Sequence, residues 1–185
     1  MKILVSACLL GENCKYSGGN NYCEKVAKLA DKFEIIPVCP ECFGGLKTPR
    51  TPSEIVDGKV MTKDGIDVTK EFEDGAEKTL YIANECNVCY AILKERSPSC
   101  GFKQIYDGTF SGTLTYGNGV TADLLYNNGI RIFGENHIDD FLSEVDWSFL
   151  KHKNKQLKNK GKSWIGNLPF YYDKTFNSKN VYYSK

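Results

Sequence analysis

Three short apolar runs that each precede a cysteine constrain the fold of this chain more than any other feature. The cysteines and their runs are Cys8 after residues 3–5, Cys39 after residues 35–38, and Cys100 after residues 91–93. Short apolar runs of this kind predict β-strands, and the carboxyl ends of parallel strands open onto the crevice where α/β sheets bind ligands. We therefore expect the three thiols to meet at one edge of a sheet.

Helical patterns separate the predicted strands. Strands are predicted over residues 2–6, 34–38, 88–93 and 130–133, with a hairpin at Asp57-Gly58. Helices are predicted over residues 22–32, from Thr69 as N-cap to about Asn84, over residues 119–128 and over residues 137–144. Alternation of strands and helices predicts βαβ units. The predicted fold class is therefore α/β, a Rossmann-like three-layer domain with a mainly parallel sheet.

The composition narrows the functional classes. A net charge of +1 gives no general support for binding to nucleic acid or membrane surfaces. No apolar run approaches the about 20 residues of a membrane span, and the N-terminal apolar stretch is shorter than the about 7–15 residues of a signal-peptide core. We therefore predict a cytoplasmic protein. Eight cysteines in a reducing compartment indicate metal binding or redox chemistry.

The three cysteines that follow the strands are the predicted metal ligands. Thiolates favour iron–sulfur centres or zinc over hard ions. Four cysteines saturate a cubane cluster, whereas three leave one iron open to act as a Lewis acid or to bind a substrate sulfur. Cys8, Cys39 and Cys100 thus indicate a catalytic iron–sulfur cluster.

Residues beside these cysteines supply candidate catalytic groups. Glu41 comes two residues after Cys39, where it can serve in proton transfer. Ser97 and Ser99 precede Cys100 on a loop stiffened by proline, and their hydroxyls can donate hydrogen bonds or relay a proton. A turn or cap role for Ser97 remains open at this point.

The long segment from Cys39 to Ser53, rich in proline and glycine, is predicted to be irregular and functional. Gly44 and Gly45 would let the backbone approach a ligand closely. Arg50 could anchor an anion or a polar heterocycle. A structural ion pair between Arg50 and Glu54 is the alternative interpretation.

Other kinds of cysteine site are also possible, because the chain has two Cys-x-x-Cys pairs, Cys39–Cys42 and Cys86–Cys89. A four-cysteine zinc site would need the pairs closer than they are, because zinc ribbons separate them by about 15–20 residues. A thioredoxin-like dithiol at the first pair normally opens a helix, which the following Phe-Gly-Gly does not favour. Cys23 and Cys89 are expected to be small buried apolar side chains. The competing class of protein is a cysteine-rich structural-metal or redox-sensing protein without turnover.

Several motifs agree in order and spacing with one enzyme family. They include Ile3-Leu-Val-Ser-Ala-Cys-Leu-Leu-Gly11, Tyr16-Ser-Gly18, Pro37-Val-Cys-Pro-Glu41, Gly44-Gly-Leu-x-x-Pro-Arg50 and Leu93-Lys-Glu-Arg-Ser-Pro-Ser-Cys-Gly101. Further matches at Tyr106-Asp-Gly-Thr-Phe110, Gly117-x-Gly-Val-Thr-Ala122 and Gly129-Ile130 extend to about residue 135. On these motifs the chain resembles the bacterial thiouracil desulfidase family.

The resemblance implies a [4Fe–4S] cluster held by Cys8, Cys39 and Cys100, with Glu41 and Ser97 as acid–base and substrate-positioning groups. It implies that thiolated pyrimidines such as thiouracil or thiouridine are converted to uracil or uridine with release of sulfide and no net oxidation. Cys14 and Cys42 depart from the family pattern as additional thiols that could compete as ligands. The expected assembly is a monomer or homodimer.

Composition changes near residue 151. The predicted domains are a cluster-binding desulfidase-like α/β domain over residues 1–150 and a C-terminal extension rich in lysine and aromatic residues over 151–185. That extension is interpreted as a solvated segment whose aromatic residues dock on the domain or on a second subunit. The alternative is nucleic-acid contact through lysines and stacking rings.

Overall fold

A computed structural model describes residues 1–145 of the chain, and the predicted extension over 151–185 lies outside these residues. A four-stranded parallel sheet forms the centre of the described part. Its strands are β1 (Lys2–Ser6), β2 (Glu34–Val38), β5 (Tyr90–Leu93) and β8 (Arg131–Gly134), in the spatial order β2-β1-β5-β8. The predicted α/β class with a mainly parallel sheet is confirmed.

Helices cover both faces of this sheet, because alternate residues of each buried strand point to opposite sides. The helices are α1 (Glu24–Ala27), α2 (Pro40–Phe43), α3 (Thr69–Glu85), α4 (Val120–Asn127) and α5 (Ile138–Glu144). On one face Leu93 and Ala91 share a core with Ala83 of α3 and Leu125 of α4. On the other face the Phe141 ring of α5 lies 5.5 Å from that of Phe133 in β8.

Two antiparallel hairpins are added to this three-layer arrangement. They comprise β3 (Ser53–Val56) with β4 (Lys59–Thr62), and β6 (Gln104–Tyr106) with β7 (Leu114–Tyr116). The first has the turn predicted at Asp57-Gly58, where both residues have positive φ. Glu54 of β3 is buried and accepts hydrogen bonds from the backbone N–H groups of Gly108 and Phe110 at 3.0 Å, which ties the two hairpins together.

The sequence predictions differ from the structure at several element boundaries. The helix predicted over residues 22–32 is split into α1 and a 3₁₀ segment, Lys28–Asp31. Thr69 is the first helical residue of α3 instead of its N-cap, and the Thr69 N–H donates to the Asp67 carboxylate at 3.0 Å. Strand β5 begins at Tyr90, so Cys89 precedes it and is exposed, contrary to its predicted burial.

The segment after β2 begins with a helix that the sequence did not predict. Helix α2 opens with Pro40, a residue well suited to the first helical position because its missing N–H has no partner there. Gly44 N–H donates to the Pro40 carbonyl at 2.8 Å, and Gly45 has a φ of 95°, so the two glycines end the helix. None of the helices described over residues 1–145 is long and apolar enough to cross a membrane.

Candidate functional site

The three cysteines that follow the apolar runs lie at the carboxyl edge of the sheet. Cys8 lies in a 3₁₀ segment, Ala7–Leu10, directly after β1, and Cys39 directly follows β2. Cys100 is on the loop after β5. From β1 the chain continues to β2 on one side of the sheet, and from β5 it continues to β8 on the other side. The direction of the strand order therefore reverses between β1 and β5, which is the topological switch point. Ligands of open α/β sheets bind in this crevice.

The three thiols are close enough to interact through charge. Cys8 interacts electrostatically with Cys39, and Cys100 interacts with both of them. Cys8 and Cys100 are buried and Cys39 is half-buried. The structure therefore brings together the three residues that the sequence proposes as ligands, in a site largely shielded from water.

The environment of these thiols favours the thiolate at Cys39 in particular. Hydrogen bonds from Cys14 and Cys42 lower the pKa of Cys39 to about 3. A hydrogen bond with Cys14 also lowers the pKa of Cys8, and the nearby Lys94 ammonium acts in the same direction. Burial instead raises the pKa of Cys100. Since the thiolate is the metal-binding form, Cys39 is prepared for a metal, whereas Cys100 needs the metal to release its proton.

Glu41 lies beside the thiols, on the first turn of α2. Its side chain is only 18% exposed and forms an ion pair with Arg50 at 2.7 Å. Ser97 also hydrogen-bonds to the carboxylate. Burial raises the pKa of Glu41 despite these two contacts. Burial thus makes Glu41 a stronger base than a solvent-exposed carboxylate.

The N–H groups of the Arg50 guanidinium are all hydrogen-bonded to other groups of the protein. Nε and Nη2 donate to Glu41, Nη2 also donates to the Cys14 carbonyl at 3.0 Å, and Nη1 donates to the Lys47 carbonyl and the Thr48 hydroxyl. These contacts account for the five N–H donors of an arginine. Arg50 thus orients Glu41. The alternative ion pair with Glu54 is wrong, because Glu54 instead accepts the two backbone hydrogen bonds described above.

The loop before Cys100 is organised by Ser97. Its hydroxyl oxygen accepts hydrogen bonds from the backbone N–H groups of Ser99 and Cys100, both at 3.1 Å. The hydroxyl hydrogen remains available to donate to Glu41, in agreement with the contact between these side chains. Ser97 therefore holds the turn that carries Cys100 and contacts the candidate proton-transfer group at the same time.

Three other predicted site residues make contacts or turns that support the fold. Ser99 is fully buried, and its hydroxyl lies 2.9 Å from that of Thr121 in α4. A Cβ on Gly44 would lie 1.8 Å from the Glu71 carbonyl oxygen, so this glycine allows α2 to pack closely on α3. Gly45 supplies the positive φ that follows α2. The contacts described above for these residues are with the protein itself, and their predicted role in binding substrate stays a prediction.

The two Cys-x-x-Cys pairs do not form a joint zinc site. Cys86 interacts electrostatically with Lys2 and Glu34, which begin β1 and β2, so it lies at the opposite edge of the sheet from Cys39. Cys89 is exposed. The prediction that no helix follows Cys39, which counted against a thioredoxin-like dithiol at Cys39–Cys42, is wrong, because the short helix α2 begins at Pro40.

Fold and site together define an α/β protein with a three-thiol site at the switch point of a parallel sheet and a half-buried carboxyl group next to it. Comparison with known proteins identifies its family. A family model described as 2-thiouracil desulfurase matches residues 3–137. The chain belongs to this 2-thiouracil desulfurase family.

Two similar proteins support the assignment. The uncharacterized protein YbbK of Bacillus subtilis (strain 168) is 47% identical over 150 residues, which cover 76% of this chain and 99% of YbbK. A solved structure of the [4Fe–4S]-dependent thiouracil desulfidase TudS is 41% identical, with a TM-score of 0.73, and the match covers 78% of this chain and 99% of that one. The similarity therefore spans nearly the whole of both relatives.

Proposed function

We propose that this chain is a thiouracil desulfidase that uses a [4Fe–4S] cluster held by Cys8, Cys39 and Cys100. One observation carries the assignment to these residues: three thiols from the ends of three adjacent parallel strands interact at one edge of the sheet. Membership of the 2-thiouracil desulfurase family supports the reaction, and the TudS structure supports the cofactor.

The donor set fits a cluster better than a single metal ion. A tetrahedral zinc site needs its sulfurs around one point, with Zn–S bonds of about 2.3 Å. Within residues 1–145, no three side chains of the metal-binding types form such a group. A cubane attaches each cysteine to a different iron, so its ligands interact through charge without sharing one centre. The charge interactions among Cys8, Cys39 and Cys100 are compatible with such an arrangement.

The reaction exchanges the sulfur of a thiocarbonyl group for the oxygen of water, giving uracil and hydrogen sulfide with no change in oxidation state. When bound, the cluster supplies an open iron that can act as a Lewis acid toward the substrate sulfur. Glu41 accepts the proton of the attacking water, and burial, which raises its pKa, makes it a stronger base for this step. Ser97 donates a hydrogen bond to this carboxylate and fixes its direction.

The remaining residues position this pair. Arg50 holds Glu41 through two contacts to Oε2. Close packing of α2 on α3 at Gly44 fixes the helix that carries Glu41. Burial of Cys8 and Cys100 keeps bulk water from the thiols, which protects an oxygen-sensitive centre and strengthens the electrostatic interactions.

An anaerobic reconstitution experiment tests the proposal. The purified protein is loaded with iron and sulfide, its absorption spectrum and iron content are recorded, and sulfide release is measured with 2-thiouracil and 4-thiouracil. We expect a cluster spectrum and catalytic sulfide release. The variant Glu41→Gln should keep the spectrum and lose turnover by at least about a hundredfold, the lower range for general acid–base groups.

Cysteine variants complete the experiment. Single replacement of Cys8, Cys39 or Cys100 by serine should prevent stable cluster binding, whereas Cys86→Ser at the opposite edge of the sheet should behave as the wild type. A protein that binds metal without releasing sulfide from either base would refute the enzyme proposal. It would support instead the structural-metal or redox-sensing class.

A further inference from the structure

The outer edge of strand β8 is open. Within residues 1–145, β8 pairs with β5 on one side and with no strand on the other. A groove of about 880 Å³ follows this open side. Proteins usually cover or block such an edge, because its free backbone groups can pair with a strand of another chain. We propose that the open edge of β8 is a homodimer interface, in which β8 of a second copy pairs with it in antiparallel orientation.

The backbone of β8 shows which groups face the groove. The Arg131 N–H donates to the Cys89 carbonyl at 2.9 Å, on the side of β5. Because successive residues of a strand direct their N–H and C=O groups to opposite sides, both groups of Ile132 face outward. Neither has a hydrogen-bond partner among the residues that the structure describes. The middle of the edge is therefore free to pair with another strand.

A two-fold axis beside Ile132 provides partners for these groups. In antiparallel strands, two residues that lie opposite each other exchange both N–H···O=C bonds. With Ile132 opposite the same residue of a second copy, each copy donates one bond and accepts one. This register joins the two four-stranded sheets into one continuous sheet. The contact is the same on both copies, as a two-fold dimer requires.

Charges along the groove favour the antiparallel orientation. Arg131, at the start of β8, contacts Glu144 of its own chain at 2.6 Å but remains 63% exposed, so a second carboxylate can reach it. Glu95 and Asp140 line the groove at the other end, where they contact residues 136 and 137. Antiparallel pairing brings the Asp140 end of one copy beside Arg131 of the other, twice by symmetry. Parallel pairing would instead bring like charges together, which opposes association.

Aromatic side chains supply the apolar part of the surface. Phe102 and Tyr126 line the groove with their ring centroids 5.2 Å apart, and Tyr126 is exposed. Phe133 of β8 lines it as well. Aromatic residues and arginine are the types enriched in protein interfaces. Opposite charges at the two ends of one strand make the face complementary to itself, so a second copy fits it better than an acidic or a basic peptide does.

The test measures assembly of the full chain by sedimentation velocity over a range of concentrations. We expect the wild type to dimerise reversibly. Arg131→Glu and Asp140→Lys should each weaken dimerisation by at least about tenfold, because each places like charges together at both symmetric contacts. Lys70→Glu is the matched control, since it also reverses an exposed charge that is paired within its own chain, with Asp74 of α3. It should dimerise as the wild type does.

Mixing the two variants tests the orientation directly. In a mixed dimer, the carboxylate introduced at position 131 faces the ammonium group introduced at position 140. The other contact of that dimer keeps the original pair, Arg131 with Asp140. An equimolar mixture should therefore recover the dimer, at concentrations where each variant alone is monomeric. A mixture that stays monomeric would overturn the antiparallel arrangement.

Amide hydrogen exchange locates the interface independently. Exchange of residues 130–134 should slow as the wild-type concentration rises through the range of dimerisation. A wild type that is monomeric throughout would overturn the inference. A dimer that neither charge reversal weakens, or one that leaves exchange at residues 130–134 unchanged, would place the interface elsewhere and overturn it too. None of these measurements depends on sulfide release, so their failure would leave the proposed function untouched.

Discussion

Arg50 and Glu41 form a half-buried ion pair in which Nε and Nη2 of the arginine each lie 2.7 Å from the same carboxylate oxygen, Oε2. The two side chains are only 10% and 18% exposed. Because an arginine fork is planar and rigid, two contacts to one oxygen fix the direction of the carboxylate as well as its distance. The pair thus determines where the candidate proton-transfer group points.

Replacing Arg50 by glutamine should change the pH dependence of desulfuration. Arg50 lowers the pKa of Glu41 while burial raises it, so removal of the positive charge moves this pKa further upward. If Glu41 acts as a base, the rate rises as pH passes through its pKa, and the rising limb should shift to higher pH in Arg50→Gln. The measurement is the pH profile of turnover at equal cluster content.

Two further variants control this experiment. Arg50→Lys keeps the charge but loses the fork, so the pKa shift should be smaller while turnover still falls, by up to about a hundredfold for a catalytic group misplaced by about 1 Å. Arg131→Lys alters an exposed pair with Glu144 and should leave the profile unchanged. An unchanged profile in Arg50→Gln would mean that the carboxylate is not positioned by this contact.

Ser97→Ala and Ser99→Ala should have different effects although the two serines are neighbours on one loop. Ser97 contacts Glu41, so its replacement should strongly reduce turnover per assembled cluster, and loss of its two backbone hydrogen bonds should also lower stability. Ser99 faces Thr121 in the core, so Ser99→Ala should lower stability by about 1–3 kcal/mol and leave the turnover of folded protein near wild type. Chemical denaturation and steady-state kinetics on the same samples separate the two effects.

The opposite result would change the roles assigned to the two serines. If Ser99→Ala lost activity at unchanged stability, the substrate-binding role predicted from the sequence would be supported. If Ser97→Ala only destabilised the protein, Ser97 would serve the turn alone.

The sequence predicts the position of the three thiols because strand periodicity and parallel topology together fix where strands end. The strand ends alone were sufficient to place Cys8, Cys39 and Cys100 at one edge of the sheet. The partner of Arg50 depends instead on how the loop after α2 folds back, which no local pattern encodes. The same limit applies to Ser99, whose partner Thr121 lies on a different element. Local rules also misplaced Cys89, since β5 begins one residue after it.

Cys42→Ala should retain the cluster, whereas Cys39→Ala should lose it. Cys39 directly precedes α2, whereas Cys42 lies within it. Cys39 interacts by charge with Cys8 and Cys100, and Cys42 hydrogen-bonds to Cys39 and lies 3.7 Å from the Thr48 hydroxyl. Iron content and cluster absorbance after anaerobic reconstitution provide the measurement. Cluster loss in Cys42→Ala with retention in Cys39→Ala would exchange the two residues in the ligand set.

Gly75→Ala should disturb the site from outside it. A Cβ at position 75 in α3 would lie 2.0 Å from the Pro40 carbonyl oxygen, which belongs to the backbone of α2 and has no flexible end that can move away. The two helices must therefore separate, at a cost of about 1–3 kcal/mol for overpacking. Because α2 carries Glu41 and directly follows Cys39, this displacement should lower both cluster occupancy and turnover.

Gly19→Ala is the control, since a Cβ there meets no atom within 4 Å. Stability measured by denaturation, together with iron content, decides the outcome: a destabilised variant with full cluster and normal turnover would show that the α2–α3 contact supports the fold without positioning the site.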